Sequence, residues 1–74
     1  MFDDLKEIIC QYVEVDEDKI TEDSRFMEDL GFNSYDFMSL VGEVEEHFDV
    51  EVEESEVVQI KTVKDAMDYI SSLM

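Results

Sequence analysis

Apolar residues recur at helical spacing in three stretches of the chain. Phe2, Leu5, Ile9 and Tyr12 follow one another at intervals of three or four, flanked by Ile8 and Val13, which predicts an amphipathic helix from about residue 2 to residue 13. Asp3 and Asp4 suit the positive end of its dipole. Phe37, Leu40, Val41, Val44 and Phe48 form one face of a second helix. Asn33 is its expected N-cap, because the side-chain oxygen can accept an amide of the first turn, and Ser34 is then the first helical residue. Thr62 followed by Asp65 is a variant of the capping box and opens a third helix, whose buried stripe is Val63, Ala66, Met67, Ile70 and Leu73.

The segments between these helices lack a period. In residues 14–33 the apolar side chains Val15, Ile20, Phe26, Met27, Leu30 and Phe32 stand among acids, which reads as a long loop pinned to the core by those residues. Loops of this length are uncommon in small domains and often carry function. In "DVEVEESEVVQI" Val50 and Val52 alternate as in a strand, but no partner strand is available, so a turn and a short helix near residues 54–60 are expected. The absence of proline and the presence of only two glycines also favour helices. The expected fold is all-α: a single domain over residues 1–74, built as a small four-helix bundle of three main helices and one short one, with a long first connection.

Charge narrows the partners. Twenty-two acids against five bases give a formal net charge of −17, which repels phosphate backbones and anionic membranes and attracts basic protein surfaces. Nucleic acid and membrane insertion are therefore not expected. A chain this short buries roughly 60% of its unfolded surface, which leaves little room for a deep catalytic pocket. Cys10 is the only cysteine and has no partner for an internal disulfide. Neither a signal peptide nor a membrane-spanning apolar run is evident, so a monomer in the reducing cytoplasm is expected.

Several chemistries are poorly supported. One cysteine and one histidine, His47, do not make a zinc cluster. On a shared helix Ser34 and His47 would lie roughly 20 Å apart at 1.5 Å per residue, too far for a nucleophile and its base. The stretch "DEDKITEDSRFM" matches a calcium loop at Asp16 and Asp18, but Thr21 replaces the required glycine and Met27 the closing glutamate. No metal ligand set is assigned, beyond weak binding of divalent cations by the many carboxylates.

Ser34 has two readings, a helix-start residue or a chemical handle. It follows a turn at Gly31, and it stands where a long loop meets a helix. The same helix has a second stripe of Tyr35, Met38 and Gly42, continued by Glu45, Glu46 and Asp49. An apolar stripe edged by acids suits a basic partner with a hydrophobic notch. Gly42 weakens the helix by roughly 1 kcal/mol relative to alanine, which points to a close approach there.

The segment "FMEDLGFNSYDFMSLVGEVEEHFDVEV" resembles the centre of an acyl carrier protein, in which an acid, a leucine, a glycine and an Asp-Ser-Leu triplet open the second helix. "LKEIICQYVEVDEDKI" and "IKTVKDAMDYI" resemble the first and last helices of that family. The resemblance implies a four-helix, non-catalytic carrier. Its serine, here Ser34, would receive a 4′-phosphopantetheine arm from coenzyme A, and the arm's thiol would hold acyl groups as thioesters. It also implies a phosphopantetheinyl transferase and basic-surfaced acyl-transferring or synthase enzymes as partners, in fatty acid, polyketide or specialised acyl metabolism. Their docking surface would include Asn33, Tyr35, Met38, Gly42, Glu45 and Glu46.

The chain departs from the family pattern in four places. Asn33 stands for the usual aspartate and Tyr35 for the usual leucine. Ser39 occupies a common acidic position, and Phe37 replaces a smaller residue of the acyl cavity, which it would narrow. These changes point to a dedicated pathway. The alternative they motivate is an acidic interaction module with the carrier fold and an unmodified serine.

Overall fold

Leu5, Ile8 and Ile9 turn to the same side of the first helix, and burying them fixes its orientation. A computed structural model describes all 74 residues. It contains α1 (Phe2–Ile9), a 3₁₀ turn (Glu17–Lys19), α2 (Ser34–Phe48), α3 (Glu54–Val57) and α4 (Val63–Leu73). There is no sheet, only one isolated antiparallel bridge between Arg25 and Thr62. This is the expected all-α bundle of three main helices and one short one. Its hydrophobic core takes residues from all four helices and, from the long loop, Ile20, Phe26, Leu30 and Phe32.

Four details differ from the sequence expectation. α1 stops at Ile9 rather than near Val13, because the backbone tightens: Gln11 N–H donates to Ile8 O and Tyr12 N–H to Ile9 O, three residues back rather than four. Tyr12 and Val13 still reach the core from this turn. Met27 does not pin the loop but is exposed, since the turn from Arg25 to Leu30 directs Phe26 and Leu30 inward. Leu73 is also exposed, at the end of α4, where Ile70 is the last buried residue. α3 is a single turn ending at Val57, and Ile60 packs against the core from the loop that follows.

The long loop is fastened to the start of α4. Phe26 N–H donates to Lys61 O at 3.0 Å, Val63 N–H to Ser24 O at 3.0 Å and Lys64 N–H to Glu22 O at 2.8 Å. Ser24, the one buried polar residue, is satisfied because its hydroxyl accepts the Thr21 amide at 2.9 Å. Thr62 and Asp65 form the expected capping box. Two further ties close the lower end: Glu45 Oε2 accepts the Val52 amide at 2.9 Å, and Tyr69 Oη accepts the Glu53 amide at 3.1 Å. The loop and the four helices thus form one framework that carries the first turn of α2 on its surface.

Candidate functional site at the start of α2

Three consecutive choices of residue build the approach to Ser34. Gly31 adopts φ +78°, a left-handed conformation that side chains resist. Phe32 N–H then bonds back to Phe26 O at 2.9 Å, and the Phe32 ring enters the core. Asn33 leaves in an extended conformation, and its Oδ1 accepts the Asp36 amide at 2.7 Å. α2 therefore begins as expected from Asn33, with Ser34 as its first residue and exposed to solvent. The amides at the start of a helix lack intrahelical acceptors and carry the positive end of its dipole, so an anion on Ser34 Oγ would be stabilised there.

A groove of about 380 Å³ opens beside Ser34. Met27, Met38 and Val58 supply exposed apolar walls, Phe37 its floor, and Arg25 and Lys61 its cationic side chains. Arg25 is bound to its own turn: Nη1 meets Glu28 at 2.6 Å and Nη2 meets Asp29 at 3.1 Å. This fork, through its hydrogen bonds with Asp29 above all, holds the guanidinium above its ordinary value and the Asp29 carboxyl below its own.

The other candidate residues fall as follows. Tyr35 is 80% exposed, and Met38 is 47% exposed. Gly42 and Glu46 are exposed on the same outer side of α2. No atom of the protein lies within 4 Å of where a Cβ on Gly42 would stand, so no part of the chain itself makes a close approach there. Glu45 is half-buried, and one of its oxygens is engaged by Val52, a structural role its place in an acidic run did not reveal. Ser39 has a backbone role: its carbonyl accepts the Tyr12 hydroxyl at 3.3 Å.

His47 lies at the far end of α2 from Ser34, so the two form no catalytic pair. No three of the His, Cys, Asp and Glu side chains gather as donors for a metal ion, and residues 16–27 are instead folded into the 3₁₀ turn and the fastened loop. Cys10 is half-buried with its thiol donating to Val15 O at 3.3 Å. Burial pushes that thiol up, and Glu17 and Asp16 add to the effect, so it stays protonated near neutrality. No helix is long and apolar enough to cross a membrane.

Sequence reasoning missed the groove, because its two sides come from residues 25–28 and 57–61, which no local pattern links. Comparison with known proteins bears on the same region. Residues 3–70 match the family model described as a phosphopantetheine attachment site. An acyl carrier protein of a Sulfurovum strain is 41% identical over 73 residues, spanning 99% of this chain and 97% of its own. In structure, a protein of Mycobacterium tuberculosis described as a candidate acyl carrier protein matches with a TM-score of 0.90 at 26% identity, over 99% of this chain and 97% of its own. The acyl carrier protein of Enterococcus faecalis matches with a TM-score of 0.85 at 29% identity, over 99% and 92%.

Proposed function

The chain belongs to the acyl carrier protein family, whose members are non-catalytic and carry covalent 4′-phosphopantetheine, and we propose that Ser34 is where this one takes up its arm. The observation that carries this reading is the exposed hydroxyl at the first residue of α2, beside an open groove. The site fits the group: free first-turn amides favour a phosphodiester, and the groove offers apolar walls to the arm's length. When attached, the arm supplies a thiol that holds acyl groups as thioesters. Ser34 Oγ forms the new bond to phosphorus, the pyrophosphate of coenzyme A breaks, its adenosine bisphosphate half leaves, and the transferase takes the hydroxyl proton.

The residues around Ser34 orient and present. Asn33, Tyr35, Met38, Gly42 and Glu46 make the face that the transferase and the acyl-handling enzymes read. Glu45 contributes to that face only with the oxygen not held by Val52. Tyr35 offers a large exposed ring with a hydrogen-bonding tip, the kind of residue that anchors interfaces. Asn33 lowers the negative charge beside the attachment point, and together with Tyr35 and Ser39 it supports a dedicated acyl pathway for this carrier rather than general fatty acid synthesis. The carrier works as a monomer in the reducing cytoplasm, where a single protonated Cys10 does not compete with the arm's thiol.

The test is intact mass after incubation with coenzyme A and a broad-specificity phosphopantetheinyl transferase. The wild type should gain the mass of one arm, and Ser34→Ala should gain none while keeping its helical circular dichroism. A folded wild type that resists several transferases would overturn the assignment and leave the chain as an unmodified interaction module.

A further inference from the structure

We infer that Lys61 is the counter-ion of the arm's phosphodiester and pins the root of the arm into the groove beside Ser34, which makes it a positioning residue. This rests on the assignment of Ser34 as the attachment point.

The chain has five bases against a net charge of −17, and two of them, Arg25 and Lys61, line the groove that reaches Ser34. Glu28 is the only acid along it, so positive charge there exceeds negative by one. The hollow between α3 and α4 has the opposite character: Glu56, Asp65 and Asp68 line it, and no base does. Positive charge beside Ser34 is therefore a local feature, set against the field of the whole molecule.

The two bases differ in what they can still bind. Arg25 is taken, with Nε and Nη2 donating to Asp29 and Nη1 to Glu28. Lys6 and Lys64 are likewise paired, with Asp3 and Asp68. Lys61 has no acid partner, although the chain holds 22 acids. Its backbone is nonetheless fixed: its amide donates to Asp65 Oδ2 at 3.1 Å, and its carbonyl accepts the Phe26 amide at 3.0 Å. The residue is held at the groove while its side chain stays exposed. An ammonium on a flexible stem is a point charge suited to a phosphate oxygen.

A basic partner would be repelled by this charge, so Lys61 does not belong to the face that carboxylates offer to such enzymes. The anion it fits is one delivered to the groove itself. A phosphodiester on Ser34 Oγ meets Lys61 within one molecule and needs no affinity for a free ligand. The first-turn amides of α2 favour the phosphate from the helix side. Lys61 adds a charge from the loop between α3 and α4, and the pair gives the arm a direction. Held so, the arm leaves Ser34 along the apolar walls of Met27 and Val58 rather than straight into solvent.

For the test, wild type, Lys61→Gln, Lys61→Arg and Lys19→Gln are loaded from coenzyme A by a broad-specificity transferase, with loading checked by intact mass. Melting temperatures of apo and holo forms are compared at about 0.1 M salt, where only near charges interact strongly. Lys19 is the other unpaired base and lies in the 3₁₀ turn, outside the groove, so its variant removes the same charge elsewhere. Arm attachment should lower the melting temperature of Lys61→Gln by about 2–4 °C relative to its effect on wild type, the size of one exposed ion pair in so small a domain. That difference should fade at about 1 M salt. Lys61→Arg should behave as wild type, and Lys19→Gln should shift apo and holo alike. A Lys61→Gln variant that shifts both forms equally overturns the inference. In the holo wild type, nuclear Overhauser contacts should join the Lys61 side chain to the methyl groups next to the arm's phosphate. Their absence overturns the inference even where Lys61→Gln resists loading. A wild type that takes up no arm removes the Ser34 assignment and this inference with it, an outcome that intact mass separates from the others.

Discussion

Asn33 holds the Asp36 amide at 2.7 Å and stands next to Ser34 without a charge. The two roles separate by substitution. Asn33→Ala removes the cap and should cost about 1 kcal/mol in urea unfolding. Asn33→Asp keeps the cap, so stability should move by no more than a few tenths of a kcal/mol. The added charge should speed modification by a basic transferase, with a gain that shrinks as salt is raised. An equal effect of both variants on stability would show that the cap is not what Asn33 contributes. Asn33 and Ser34 were legible in the sequence because capping is a local rule, satisfied within four residues. The half-burial of Glu45 was not, since its partner Val52 is seven residues on and across a turn.

α2 begins on a side-chain cap and ends at Asp49 in the left-handed conformation, φ 54°, where the backbone can leave the helix for α3. Midway along it, Gly42 faces open space. Gly42→Ala should therefore raise stability by about 0.5–1 kcal/mol in denaturant titrations, since it only lowers the freedom of the unfolded chain and improves helix propensity. If the glycine serves a partner's close approach, the same variant should weaken transferase binding; unchanged binding would remove Gly42 from the docking face.

α4 offers a pH test. Asp65 Oδ2 accepts the Lys61 amide at 3.1 Å and the Thr62 amide at 3.2 Å. The Lys61 amide is the main cause that holds this carboxyl below the ordinary aspartate range, with Thr62 and Lys64 adding to it against the effect of burial. A depressed value in the folded state means stability that is present above the unfolded aspartate value and lost as pH falls through the folded one. Wild type should exceed Asp65→Asn in urea midpoint at pH 7, and the gap should close at and below the ordinary aspartate range. A gap independent of pH would assign the variant's effect to shape alone. The capping box itself was readable from Thr62 and Asp65. The bridge that brings Arg25 to Thr62 was not, because it joins residues far apart in sequence with no periodic signal at either end.

The protein's overall charge works in opposite directions on folding and on association. Only four acids, Asp3, Glu28, Asp29 and Asp68, take part in ion pairs, all of them local pairs at the surface and each worth little. The rest of a net −17 repels itself across a molecule 27 × 22 × 19 Å in extent. At about 10 mM salt the screening length is roughly 30 Å, longer than any axis of the molecule, so every carboxylate acts on every other. At about 0.15 M it is roughly 8 Å, and the repulsion becomes local. The folded state crowds these charges more than the unfolded chain does, so raising sodium chloride over this range should stabilise the protein. A gain of about 1–2 kcal/mol would lift the melting temperature by roughly 4–16 °C for a domain of this size. The same screening should lower kcat/KM for a basic transferase, because the field that strains the fold is the one that gathers its partner. Acidity was plain in the sequence, and so was the class of surface it attracts; the opposing trends follow once small dimensions and scarce ion pairs are known. A melting temperature that does not move with salt would mean that the carboxylates are already neutralised, by protons or tightly held cations, and the long-range attraction to basic enzymes would then be weak as well.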